Sequence, residues 1–173
     1  KVAATFGAKG VIVHGGSVGE GGDIGQGYEN WGKAIKEVED IGVKVLVENT
    51  AGGKNSVARY MDSIERLWEV IGHLNVGLCL DTCHTWAGGI PTIEAVKGFK
   101  KLVKKIDLIH FNDSKDGFES SRDRHENLGK GQIPKEELEY VIKNAKTDII
   151  VETPNGPDAQ KKDIAWIKRR LKK

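Results

Sequence analysis

Cysteine is nearly absent from this 173-residue chain: Cys79 and Cys83 are the only two. That excludes a fold built on a disulfide framework. Cys79 lies inside an apolar run, where cysteine behaves as a small buried hydrophobe, and Cys83, one residue before His84, reads as packing beside a site rather than as a zinc ligand. An excess of one charge is also missing. With 27 Lys and Arg against 25 Asp and Glu, the net charge is +2, so composition neither demands nor excludes a polyanionic partner. The basic stretch at Lys161, Lys162 and residues 168–173 reads as a solvated helix end, where cations oppose the helix dipole. No stretch reads as a signal peptide or is apolar enough to span a membrane, so the expectation is a soluble, cytoplasmic protein with no membrane partner. The glycine-rich segment 14–27 lacks the spacing of a Walker loop or a dinucleotide fingerprint, and no nucleotide cofactor is expected there. Repeats, heptads and low-complexity tracts are absent as well.

What the chain does have is a recurring pattern. Five short apolar runs, at residues 10–14, 43–48, 76–81, 108–110 (continuing to Asp113) and 149–152, end on His14, Glu48, Asp81, His110 and Glu152. Short β-branched runs of this kind are how buried parallel strands read. Helical periodicity fills the gaps. Trp31, Ile35 and Val38 share a face over 28–41, and Val57, Met61, Ile64, Trp68 and Ile71 share one over 56–71. A third helix spans 92–105 behind Pro91, and a fourth spans 134–145 with Leu138, Val141 and Ile142 inward. The last is capped by Asp158 and turns Ile164, Ile167 and Leu171 to the core. Alternation of strand and helix predicts an α/β fold with a parallel sheet and right-handed crossovers, in one domain covering residues 1–173. In a parallel barrel every strand C-terminus opens on one face, so the five end residues would converge there. A single His or Glu at a strand end is ordinarily a surface or capped residue, but five in succession are not explained that way.

Two further spacings enlarge the set: Asp81 with His84, and Asp123 with His125. Carboxylates and neutral imidazoles without thiolates suit zinc or manganese in an open, reactive site. Eight candidate ligands, His14, Glu48, Asp81, His84, His110, Asp123, His125 and Glu152, exceed what one ion needs, so more than one ion is expected. Of the five histidines, only His73 falls outside the set, at a helix end where it reads as a capping residue.

These residues carry a resemblance. Residues 47–52 (VENTAG), 77–84 (GLCLDTCH), 109–115 (IHFNDSK), 123–131 (DRHENLGKG) and 151–153 (VET) together resemble the endonuclease IV family of apurinic/apyrimidinic endonucleases, in order and spacing along nearly the whole chain. The resemblance implies a TIM barrel with a trinuclear zinc site. It also implies a substrate, double-stranded DNA with an abasic site, cut on the 5′ side to leave a 3′-hydroxyl. Glu48 would bridge two ions, His14 would help hold the first, Asp81, His110 and Glu152 would complete the second, and His84, Asp123 and His125 would hold the third. Glu48, Asp81, His110 and Glu152 are then the catalytic set, with Asn49, Asn112 and Lys115 as supporting or phosphate-contacting groups.

The family's barrel has eight strands and this chain shows five, read as the last five. Together with a start at Lys1 in an apparent helix end, this predicts the C-terminal part of a barrel, with open sheet edges able to self-associate. The sequence also reads His-Gly-Gly at residues 14–16 where the family commonly has His-Pro-Gly. Two other readings stand beside the nuclease. A sugar isomerase or epimerase of the same superfamily would hold one ion on Glu48, Asp81, His110 and Glu152, and a metal-dependent scaffold would have no catalysis at all.

Overall fold

Strand and helix alternate as expected. The computed structural model describes residues 1–172, so Lys173 of the basic tail lies outside the described residues. A short helix α1 (Val2–Thr5) leads to β1 (Gly10–His14), α2 (Ile24–Val38), β2 (Lys44–Glu48), α3 (Met61–Ile71) and β3 (Val76–Asp81). There follow α4 (Thr82–Gly88), α5 (Thr92–Leu102), β4 (Leu108–His110), β5 (Asp113–Ser114), β6 (His125–Glu126), α6 (Lys135–Ala145), β7 (Asp148–Ile150) and α7 (Gly156–Leu171). Five strands form one parallel sheet in the order β1-β2-β3-β4-β7, and β5 and β6 make a separate antiparallel pair. This is an arc of a (β/α) barrel with five of its strands.

Burial follows strand position. The central strands are almost wholly buried from their second residue on. By contrast, β1 and β7, each with one unpaired edge among the described residues, are half-exposed. The core lies between the sheet and the outer helices. Ile64, Leu67 and Ile71 of α3, recurring every three or four residues, are at most 1% exposed; each such side chain contributes about 1.5–3 kcal/mol when removed from water.

Several boundaries differ from the sequence reading, each for a local reason. Helix α2 starts inside the glycine-rich segment because Asp23 caps it, Oδ1 accepting from Gly25 N at 2.8 Å. Helix α3 starts at Met61 rather than at 56, because residues 56–58 are bonded to neighbouring loops: Ser56 bridges Ser17, Val57 N donates to Gly16 O and Thr50 N donates to Ala58 O. Helix α7 begins after Asn155, which makes no side-chain cap bond, with Asp158 inside its first turn, and of its expected core residues only Ile167 is buried while Ile164 and Leu171 are exposed. The helix α4 and the β5–β6 pair were not foreseen. No helix among the described residues is long and apolar enough to cross a membrane.

Candidate metal centre

The C-terminal ends of the five strands carry the site. His14, Glu48, Asp81 and His110 are the last residues of β1 to β4, and Glu152 lies two residues beyond β7. Parallel pairing at matched register sets His14 beside Glu48 and Asp81 beside His110. Asp81 then starts α4 as its N-cap, its Oδ1 accepting from His84 N at 2.8 Å. One carboxylate thereby ends a strand and orients the helix turn that presents His84. The β5–β6 pair, with Ser114 opposite His125, brings His125 in from the long loop.

Glu48 is the centre of the cluster. His110 Nδ1 is 2.8 Å from its Oε1, His84 Nδ1 3.5 Å from the same atom, and His14 Nε2 3.3 Å from its Oε2. Ligand atoms of Glu48, Asp81, His110 and Glu152 all lie within 4.8 Å of one another, as do those of His14, Glu48 and His84. His110 Nδ1 is 3.0 Å from Glu152 Oε2. Asp123 Oδ1 sits 3.0 Å from His84 Nε2 and 3.2 Å from His125 Nε2, and His125 Nε2 is 3.7 Å from Asp81 Oδ2. All eight expected residues therefore meet. Glu48, Asp81, His84 and His110 are buried, while the side chains of His14, Asp123 and Glu152 remain about half-exposed, at 58%, 50% and 42%.

The donor set fits metal. His84 Nδ1 donates to Asn49 O at 2.9 Å and His125 Nδ1 faces Glu152 O at 3.3 Å. Such bonds fix the tautomer and leave each Nε2 with its lone pair free. Both Nε2 atoms are buried and have no well-aligned hydrogen bond, although each lies close to Asp123 Oδ1. Two orphaned nitrogens and a carboxylate oxygen aimed at one another are the arrangement a cation satisfies. The electrostatics agree. Burial alone would lower the His84 pKa, but the charges of Asp81, Asp123 and Glu48 outweigh it and push it up to about 10. His110 is raised against burial by Glu48 and Glu152, and His125 by Asp123 and Asp81. The imidazoles of His125 and His84 hold Asp123 well below the usual carboxylate range. The carboxylates that raise these three imidazoles would equally favour a cation placed among them.

Cys79 and Cys83 also touch the cluster, but burial and then nearby carboxylates disfavour their thiolates. Cys83 is pushed up to about 12 and Cys79 higher still. His73 is exposed beyond the end of α3, away from the cluster. Lys115 is exposed and engages the hairpin through its backbone. Asn49 and Asn112 do support the centre: Asn49 accepts from Asp81 N at 2.8 Å and donates to Asp81 O, while Asn112 donates to Asp81 Oδ2 at 2.7 Å and accepts from Glu152 N at 2.8 Å. Thr82, whose hydroxyl bonds Asn112 at both backbone O and N, was missed. Nothing in a sequence marks a pairing across 30 residues.

A parallel partial barrel with a carboxylate and imidazole cluster at its strand C-termini places these groups on the face where enzymes of this architecture keep their active sites. The sequence profile of the xylose isomerase-like TIM barrel family matches residues 1–170. A probable endonuclease 4 of Mycobacterium tuberculosis is 48% identical over 168 residues, covering 97% of this chain and 66% of its own length. The crystal structure of endonuclease IV from Thermus thermophilus superposes with a TM-score of 0.78 at 29% identity, over 98% of this chain and 64% of that one. A D-tagatose 3-epimerase-like protein shares the fold, with a TM-score of 0.74 at 21% identity over 98% of this chain and 64% of its own. The chain belongs to the xylose isomerase-like TIM barrel family and, within it, to the endonuclease IV family. It spans about two thirds, 66%, of the length of the curated relatives it matches.

Proposed function

We propose that this chain carries the metal centre of a zinc-dependent DNA repair endonuclease, a phosphoric diester hydrolase acting in the cytoplasm. Its substrate is double-stranded DNA containing an abasic site, cut 5′ to the lesion to leave a 3′-hydroxyl. The observation that carries this reading is the second ligand group, His84 and His125 with unpaired Nε2 atoms facing Asp123, beside the four-residue group of Glu48, Asp81, His110 and Glu152. Glu48, reached by His14 on one oxygen and by His110 and His84 on the other, is the candidate bridge between sites. Two to three zinc ions, with manganese as a substitute, match this number of donors. When bound, such ions lower the pKa of water and offset the charge that develops on a phosphodiester during cleavage.

The chain's own groups prepare that chemistry. Backbone carbonyls of Asn49 and Glu152 orient the two imidazoles, and Asn112 ties the Asp81 carboxylate to the Glu152 backbone. The half-exposed ligands His14, Asp123 and Glu152 face the open rim where a phosphate would approach. An abasic nucleotide has no base to unstack, so turning it toward such a site costs less than for an intact nucleotide. Self-association through the β1 and β7 edges is part of the same proposal.

A single-ion sugar isomerase or epimerase is the competing reading, favoured by the fold it shares with the epimerase-like structure. Glu48, Asp81, His110 and Glu152 would suffice for it, leaving His84, Asp123 and His125 without work. A duplex containing a tetrahydrofuran abasic analogue, incubated with zinc-loaded chain with and without chelator, tests the choice. Expected is chelator-sensitive cleavage 5′ to the lesion with an extendable 3′ end, and more than one zinc per chain by elemental analysis. At most one divalent ion in active protein, with ketose turnover and an intact duplex, would overturn the nuclease.

A further inference from the structure

A buried carboxylate outside the ligand cluster ties together the two segments that present Glu152 and His125. Asp163, in the middle of α7, is 4% exposed. Its Oδ2 accepts from Thr153 Oγ1 at 2.6 Å and from Asn127 Nδ2 at 2.8 Å, and its Oδ1 accepts from Leu128 N at 3.0 Å. All three donors are neutral. Burying a carboxylate without a cation is costly, and hydrogen bonds recover that cost only when the geometry is held closely. A neutral residue could fill the same space, so packing alone does not account for a charge here.

What the three bonds join is informative. Thr153 follows Glu152 directly, and Asn127 follows His125 by two residues. Asn127 Nδ2 also reaches Pro154 O at 3.1 Å, Asn155 Nδ2 donates to Asn127 Oδ1 at 2.8 Å, and Gln160 Nε2 donates to Thr153 O at 3.1 Å. The loop after β7 and the strand β6 are thus clamped against one helix. The circuit closes where His125 Nδ1 meets Glu152 O. We infer that Asp163 is a positioning residue: through Thr153 and Asn127 it sets the separation of Glu152 from His125, and with it the affinity of the metal group that includes His125. This rests on the proposal that His125 and Glu152 hold metal. Groups that orient metal ligands from outside typically change affinity by about 10–100-fold when removed.

The test uses the zinc-loaded chain, with metal counted by elemental analysis during titration with a competing chelator, and with the visible spectrum of the cobalt-substituted chain as a second readout. In Asp163→Asn, the metal equivalent held through His125 is expected to weaken most, by about 100-fold, with a smaller loss for the one held through Glu152, a changed cobalt band and unchanged far-ultraviolet circular dichroism. Thr153→Val, which removes one neutral donor at nearly constant shape, is expected to weaken the same equivalent by about tenfold. It carries the test if Asp163→Asn does not fold. Variants that melt lower but keep every equivalent at unaltered affinity would show a purely structural role and overturn the inference. An unsubstituted chain that binds no zinc would instead overturn the metal-centre proposal on which it stands.

Discussion

At the scale of single residues, the eight candidate ligands differ in how replaceable they are. Glu48 has both oxygens engaged by imidazoles and is buried, so an amide there offers one acceptor where two are used and loses the charge. Glu48→Gln is therefore expected to lower abasic-site cleavage by more than about 100-fold, since even supporting groups around a metal cost about 10–100-fold. Zinc content measured alongside separates lost metal from lost chemistry, and a variant with full activity would remove Glu48 from the bridging role. His125 is a different case. Its Nε2 faces Asp123 and Asp81, while the group around Glu48, Asp81, His110 and Glu152 is complete without it. His125→Ala is expected to release one zinc equivalent, retain the remainder and abolish phosphodiester cleavage. Undiminished nuclease activity in a variant short of one zinc would refute the third-ion assignment.

At the scale of elements, the loop between β5 and α6 is what presents Asp123 and His125 to the strand-end cluster. Asp113, wholly buried, accepts from the backbone N–H groups of Ser114, Gly129, Gly131 and Ile133. These bonds fold residues 126–133 back under the hairpin that bears His125. Gly131 has no room for a side chain: a Cβ there would collide with the Ser114 carbonyl oxygen and the Asp113 carboxylate. Gly131→Ala is accordingly expected to destabilise by about 1–3 kcal/mol, the usual cost of overpacking, and to weaken the zinc equivalent that depends on His125. Denaturant unfolding with metal titration measures both, and wild-type values would show that the loop yields without consequence. The long polar loop itself was legible in the sequence, but the β5–β6 hairpin inside it and the helix α4 were not, because two-residue strands and a seven-residue helix are too short to carry a period. The five parallel strands were legible, since buried strands need continuous apolar runs, and so were five of the eight candidate ligands, since they close those runs, while His84, Asp123 and His125 were read from their spacing to a neighbouring carboxylate or imidazole. Ile164 and Leu171 show the limit on the helical side. Their spacing matches a core face, yet the part of α7 that bears them has no packed neighbour on that side and they stay exposed. Asp163 and Thr82 were out of reach for another reason: their roles come from partners brought together by the tertiary fold.

At the scale of the whole molecule, the sheet has two open sides. β1 and β7 each lack a neighbour on one side among the described residues. Val13 and Ile150 at these strands are 40% and 45% exposed. At the opposite end from the strand-end cluster, a cavity of about 1190 Å³ has a mixed lining, apolar at Ile12, Leu46 and Ile149 and charged at Lys44, Lys105 and Arg170, and the ion pair between Lys9 and Asp148, 3.2 Å long and largely exposed, joins the start of β1 to β7. An exposed surface pair of that kind contributes little. Unpaired parallel edges with apolar side chains favour pairing with another chain. The chain by itself is therefore expected to form dimers or larger species at micromolar concentration. Lysine at these positions should oppose this, because a charge at a strand edge must be desolvated when another strand docks. Val13→Lys with Ile150→Lys is expected to raise the monomer fraction while leaving zinc content unchanged, since neither side chain is a ligand. Size-exclusion chromatography with light scattering, run on both forms, decides the matter: a monodisperse monomer of the unsubstituted chain over that concentration range would show that the edges are silent and that five strands suffice for a stable, separate molecule.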